Sequence, residues 1–113
     1  MSDLANITKQ LLSFRDERDW KQFHDSKNLA LALSIEASEL NELFLWKSTE
    51  AEINSIDKER LSEELADVFA YALLLAEKNG LDVTKIIEDK IRKNSEKYPV
   101  NRARGSSKKY DEL

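Results

Sequence analysis

The stretch Leu65-Ala66-Asp67-Val68-Phe69-Ala70-Tyr71-Ala72-Leu73-Leu74-Leu75-Ala76 holds eleven apolar side chains and one carboxylate in twelve positions. It reads as the middle of a helix over Asp57 to Asn79, which Gly80 is placed to stop in the left-handed conformation. A helix that is apolar nearly all round has to be covered on nearly all sides. The unbroken apolar part, Val68 to Ala76, is nine residues long. A bilayer span needs roughly 20, so the cover has to be protein.

Working outward, a second apolar helix precedes this one. Asp25 or Ser26 is placed to cap it, and it reads through to about Lys47, with 12 of the 18 residues from Leu29 to Trp46 apolar. Residues 48–56 are polar and lack an apolar period, so they read as a connection with room for some helix. Ahead of these, Leu4, Ile7, Leu11 and Phe14 recur at three and four, giving a helix over Asp3 to Arg18. Residues 19–25, with Trp20, Phe23 and His24, are not helix-periodic and read as a loop. A last helix, capped by Asp82, carries Val83, Ile86, Ile87 and Ile91 and ends before Pro99. The prediction is an all-α, antiparallel four-helix bundle-like subunit over residues 1–98, with a basic tail over 99–113. A chain of 113 residues cannot cover two such apolar helices alone, because small domains hide only about 60–70% of their unfolded surface. Assembly into a dimer or a dimer of dimers is therefore expected.

Composition removes several function classes. There is no Cys, so thiolate zinc sites, iron–sulfur clusters and cysteine nucleophiles are excluded; one His excludes a multi-histidine metal site. Two Gly and one Pro leave too little turn chemistry for a sandwich or barrel of many short strands. The net charge of −4 argues against a general binder of nucleic-acid polymers. The start, Met1-Ser2-Asp3-Leu4, lacks the basic-then-apolar pattern of a secretion signal. The expectation is a cytoplasmic protein whose chemistry uses carboxylates, amines, hydroxyls or a borrowed metal.

The carboxylates carry that chemistry. Glu36 and Glu39 are three apart, as are Glu64 and Asp67, and such pairs share a helix face. The spacing alone says little: 22 acids in 113 residues give about four such pairs by chance, and four are found. The setting is what stands out, because Asp67 and Glu36 lie in the most apolar parts of their helices. An ionised carboxylate there is costly unless a cation accompanies it. The two pairs also share one midpoint in the chain, so an antiparallel hairpin sets Glu36 beside Asp67 and Glu39 beside Glu64. Four close negative charges with oxygen-only donors call for a hard ion, Mg²⁺ with Mn²⁺ as substitute. Lys or Arg partners in structural ion pairs are the competing remedy. Mg²⁺ on carboxylates keeps positions open for phosphate oxygens, with Glu39, Glu63 or Glu64 as the base that activates water.

Other residues could complete such a site. Trp20, Trp46 and Tyr71 could stack on a base, and His24 could line the same pocket. Lys90 and Asn94, four apart, form a polar strip with Lys97 suited to phosphate oxygens. Each also has a purely structural reading, as core aromatic, lone histidine or solvated face.

Taken together, Glu36-Ala37-Ser38-Glu39 and, twenty-five positions after Glu39, Glu64-Leu65-Ala66-Asp67 resemble the E-x-x-E…E-x-x-D signature of the MazG-like all-α nucleoside triphosphate pyrophosphohydrolases. The flanks Glu17 to His24, Glu42 to Ser48, and Lys97-Tyr98-Pro99-Val100 with Arg104-Gly105-Ser106 and Lys109-Tyr110 resemble its dCTP pyrophosphatase branch. The resemblance implies Mg²⁺ held by Glu36, Glu39, Glu64 and Asp67, and cleavage between the α- and β-phosphates to a monophosphate and pyrophosphate. It also implies Trp20, His24, Trp46 and Tyr71 around the nucleoside, Lys90 and Asn94 at phosphate or sugar, dimers or tetramers, and a role in nucleotide-pool sanitation. One departure is Lys97, where the family often has Arg; Lys offers a point charge in place of a bidentate fork. The resulting expectation is a Mg²⁺-dependent pyrophosphatase of (d)NTPs such as dCTP. The rivals are a non-catalytic helical interaction module and a nucleotide sensor without turnover.

Overall fold

A computed structural model describes residues 2–113, and among these there are helices and turns but no strand. Six α-helices follow in order: α1 (Asp3–Glu17), α2 (Ser26–Glu42), α3 (Glu50–Asn54), α4 (Lys58–Lys78), α5 (Val83–Lys97) and α6 (Val100–Ala103). The chain separates into two compact units, Met1–Leu81 and Asp82–Leu113.

Side-chain oxygens start the helices of the first unit. Ser2 caps α1 by accepting from the Ala5 amide at 3.1 Å, and Asp25 caps α2 by accepting from the Asn28 amide at 2.7 Å. Thr49 and Glu52 form a reciprocal capping box at α3, and Asp57 caps α4 by accepting from the Glu59 amide. The connection expected over residues 48–56 thus contains a short helix, nucleated by that box. The second apolar helix is shorter than its composition suggested. It ends at Glu42, and turns occupy Leu43 to Trp46, where Trp46 has φ 65°. The apolar run over Leu43 to Trp46 marks neither helix nor burial within this chain: Leu43 and Phe44 are half-buried, and Leu45 and Trp46 are exposed.

α4 packs on α2 and, less extensively, on α1. The pairing of α2 with α4 is antiparallel: Asn79 Nδ2, at the end of α4, donates to Ser26 Oγ at the start of α2, at 3.1 Å. Leu29, 2% exposed, is the most buried apolar residue, with Leu73, Leu74 and Ala76 of α4 also buried. The outward sides remain apolar. Leu31 and Ile35 on α2, and Leu65 and Phe69 on α4, are exposed pairs four residues apart.

In the second unit, Asp82 caps α5 by accepting from the Lys85 amide at 3.2 Å. Asp89 pairs with Lys85 and Arg92 along the helix. The stretch 99–113, expected as a basic tail, contains α6 and a final one-turn helix at Tyr110–Glu112. The Tyr110 ring meets Tyr98 edge-on at 6.2 Å, and the Lys97 ammonium lies 5.0 Å from its centre.

Gly80 ends α4 as expected, with φ 65°. A Cβ added there would meet nothing within 4 Å. Gly80→Ala should therefore cost about 1–2 kcal/mol through the backbone alone, read as a lower urea midpoint with unchanged slope.

Candidate active site

The antiparallel pairing brings three acids together. One carboxylate oxygen from each of Glu36, Glu64 and Asp67 lies within 4.8 Å of the others. Glu64 and Asp67 share a face of α4 through their spacing of three, and Glu36 stands level with them on α2. The Oε2 atoms of Glu36 and Glu64 are covered from solvent and have no hydrogen-bond partner among the described residues. Buried oxygens of this kind are expensive unless something occupies them.

Protein cations do not fill that role. The ion pairs among the described residues join Arg15 to Asp16, Arg18 to Glu17, and Lys85 and Arg92 to Asp89. None involves the three acids. The electrostatics record the strain. Desolvation, then hydrogen bonding to and the charge of Glu39, then the charges of Asp67 and Glu64, push the Glu36 carboxyl up to about 6. Glu64 is raised by desolvation and by Glu39 and Asp67, with Arg60 opposing. Glu39 is exposed and lies beside both, but falls outside the compact group of three. Glu63 is exposed and is also outside that group. Three convergent carboxylates, two of them with orphaned oxygens, fit a hard divalent cation such as Mg²⁺ or Mn²⁺ by donor chemistry.

Asp67 also belongs to a cavity of about 250 Å³. From α4 the cavity takes Asp67, Ala70, Tyr71 and Leu74, whose spacings put them on one helix face. α1 supplies Leu11, Phe14 and Arg15, and the following loop supplies Trp20 and His24. That loop is built to return. Asp19 takes φ 56°, the Trp20 amide donates to the Arg15 carbonyl at 3.1 Å, and the Trp20 ring meets Phe14 edge-on at 5.7 Å. A one-turn helix at Lys21–Phe23 then delivers His24, whose Nδ1 is covered and unpartnered. Burial and the nearby Arg15 charge lower the His24 pKa, which favours the neutral imidazole. Burial and the charges of Glu36 and Asp67 raise the Tyr71 pKa, so it stays a phenol.

Trp20, His24 and Tyr71 thus share one cavity with Asp67. Trp46 stands elsewhere, 88% exposed, on a groove of about 540 Å³ with Glu42, Lys47, Asp57 and Arg60. Lys90 and Asn94 are exposed and one turn apart on α5, in the second unit. Arg15 is a wall residue that the sequence reading passed over. Its signal was its place four residues after Leu11, on the apolar stripe of α1.

Residues 31–113 match the MazG-like family. The chain belongs to that family. It is 44% identical to rat dCTP pyrophosphatase 1 over 97% of this chain and 67% of the relative. It is 41% identical to the human protein of that name over the same shares of each chain. A crystal structure of a pyrophosphatase from Archaeoglobus fulgidus is similar in fold, with a TM-score of 0.83 and 34% identity over 88% of this chain and 94% of that one. No helix among the described residues is long and apolar enough to cross a membrane.

The raised Glu36 pKa has a defined consequence for the metal-free protein. A carboxyl near 4.5 when unfolded and about 6 when folded keeps its proton longer in the fold. Its contribution to stability therefore falls as pH rises through that window and stays low above it. Glu36→Gln should melt higher than wild type at pH 7.5 without divalent ions, and the difference should vanish toward pH 4.5. Thermal melts in EDTA across that range check this.

Proposed function

We propose that this chain is a Mg²⁺-dependent nucleoside triphosphate pyrophosphatase that converts (d)NTPs, dCTP among them, to the monophosphate and pyrophosphate. The observation that carries the reading is the double membership of Asp67. It closes a carboxylate group that has no protein cation, and it bounds the pocket of Trp20, His24 and Tyr71. A ligand with a ring at one end and phosphates at the other matches that arrangement. Membership of the MazG-like family supports the same reaction.

Glu36, Glu64 and Asp67, with Glu39 beside them, would hold the metal. When bound, Mg²⁺ supplies charge neutralisation for phosphate oxygens and Lewis acidity toward the scissile phosphoanhydride. The chain's own residues do the rest. Glu39, exposed next to the group of three, is the proposed base that takes a proton from the attacking water; Glu63, outside that group, is the weaker candidate. Trp20 and Tyr71 offer ring faces to the base and sugar, and His24 borders them as a neutral group. Lys90 and Asn94 offer an ammonium and an amide to phosphate or sugar oxygens. The exposed apolar pairs Leu31/Ile35 and Leu65/Phe69 support assembly into a dimer or tetramer, where Trp46 would also find cover.

Incubation with dCTP and Mg²⁺ should yield dCMP and pyrophosphate, and EDTA should abolish turnover. Orthophosphate with dCDP would assign the wrong bond, and binding without products would make the protein a sensor. Glu39→Gln should lower kcat at least a hundredfold with helix content unchanged by circular dichroism. Phe69→Lys should reduce the assembly's mass in light scattering; an unaltered mass would remove this face from the interface.

A further inference from the structure

We propose that Arg15 reads the base, its guanidinium selecting a ring that presents two adjacent hydrogen-bond acceptors. That edge is O2 with N3 in cytosine, or O6 with N7 in guanine. The inference rests on the nucleotide reading above and deepens it.

Arg15 is a charged residue 8% exposed, set between Leu11 and Phe14 in the cavity wall. A guanidinium carries five N–H donors and does not lose its charge in proteins. Here Nε donates to Asp16 Oδ1 at 2.8 Å, and Nη2 lies 2.8 Å from the same oxygen. The remaining donors, on Nη1 and on the second position of Nη2, have no acceptor among the described residues. Nη1 is not sealed from the cavity, so a ligand that brings acceptors can pair with it there in place of water, beside a side chain otherwise enclosed. Two adjacent acceptors match the guanidinium fork.

Phosphate is the other acceptor a nucleotide carries, and the placement argues against it. Arg15 pairs with none of the three acids, and its carbonyl accepts from the Trp20 amide at 3.1 Å, so it stands at the root of the loop that carries Trp20 and His24. That is the ring-lined part of the cavity, where a base would lie while the phosphates meet the metal. Thymine and adenine set a donor, N3–H or N6–H, beside their acceptor. That donor would meet the guanidinium's own N–H groups.

Steady-state kinetics with dCTP, dGTP, dTTP and dATP, in wild type, Arg15→Gln and Arg15→Lys, test this, with calorimetric binding of dCMP, dGMP and dTMP in parallel. Arg15→Gln should lower kcat/KM for the preferred acceptor-edge nucleotide about ten- to hundredfold, mainly through KM. The other nucleotides should lose much less, so that the preference flattens. Arg15→Lys should keep the charge and still lose most of the preference. The dCTP and dGTP arms separate the two edges. A parallel loss for all four nucleotides, or an unchanged preference, would overturn the proposal. Wild-type protein that turns over nothing, yet binds dCMP or dGMP above dTMP in an Arg15-dependent way, would sink the enzyme reading and leave this one standing. Should Arg15→Gln lose helix content, Arg15→Lys decides.

Discussion

Repulsion among Glu36, Glu64 and Asp67 is the constraint around which the rest is arranged. Their oxygens converge within 4.8 Å while, among the described residues, no Lys or Arg pairs with them. A fold that served only stability would have scattered these acids to solvent or matched each with an amine. The α2–α4 pairing instead holds them level, clamped at the far end by Asn79 on Ser26 and packed through Leu29, Leu73 and Leu74. The apolar packing offsets the electrostatic cost. Folding stability is thus committed to a geometry that becomes comfortable only when a cation arrives.

Much of this was legible in the chain because two independent signals agreed. Asp67 was the sole charge in an apolar run, and the two acidic pairs shared one midpoint. Antiparallel pairing converts that midpoint into proximity. The start and stop signals were equally direct: Asp25, Asp82 and Gly80 act where their chemistry allows. The carboxylate group itself is tighter than the sequence could specify. Glu39 has the same spacing to Glu36 as Asp67 has to Glu64, yet it sits at the margin of the group.

What stayed hidden depended on the path of the backbone between regular elements. Apolar content extended the second helix to Lys47, but Trp46 takes a positive φ that no composition signals for a bulky residue. Its ring accordingly points to a different groove from that of Trp20. Arg15 was overlooked because arginine usually marks a solvated face. Only the return of the Trp20 loop over α1 encloses it, and that return relies on Asp19 in the left-handed region.

α4 runs for 21 residues without a glycine or proline, and it carries both Asp67 and, two turns on, Leu74 at the other end of the cavity. At 1.5 Å of rise per residue, about 10 Å separates those levels, fixed by the helix's own hydrogen bonds. The helix therefore works as a gauge. A molecule touching both marks must supply that length through its own torsions, because the rod beneath it does not stretch.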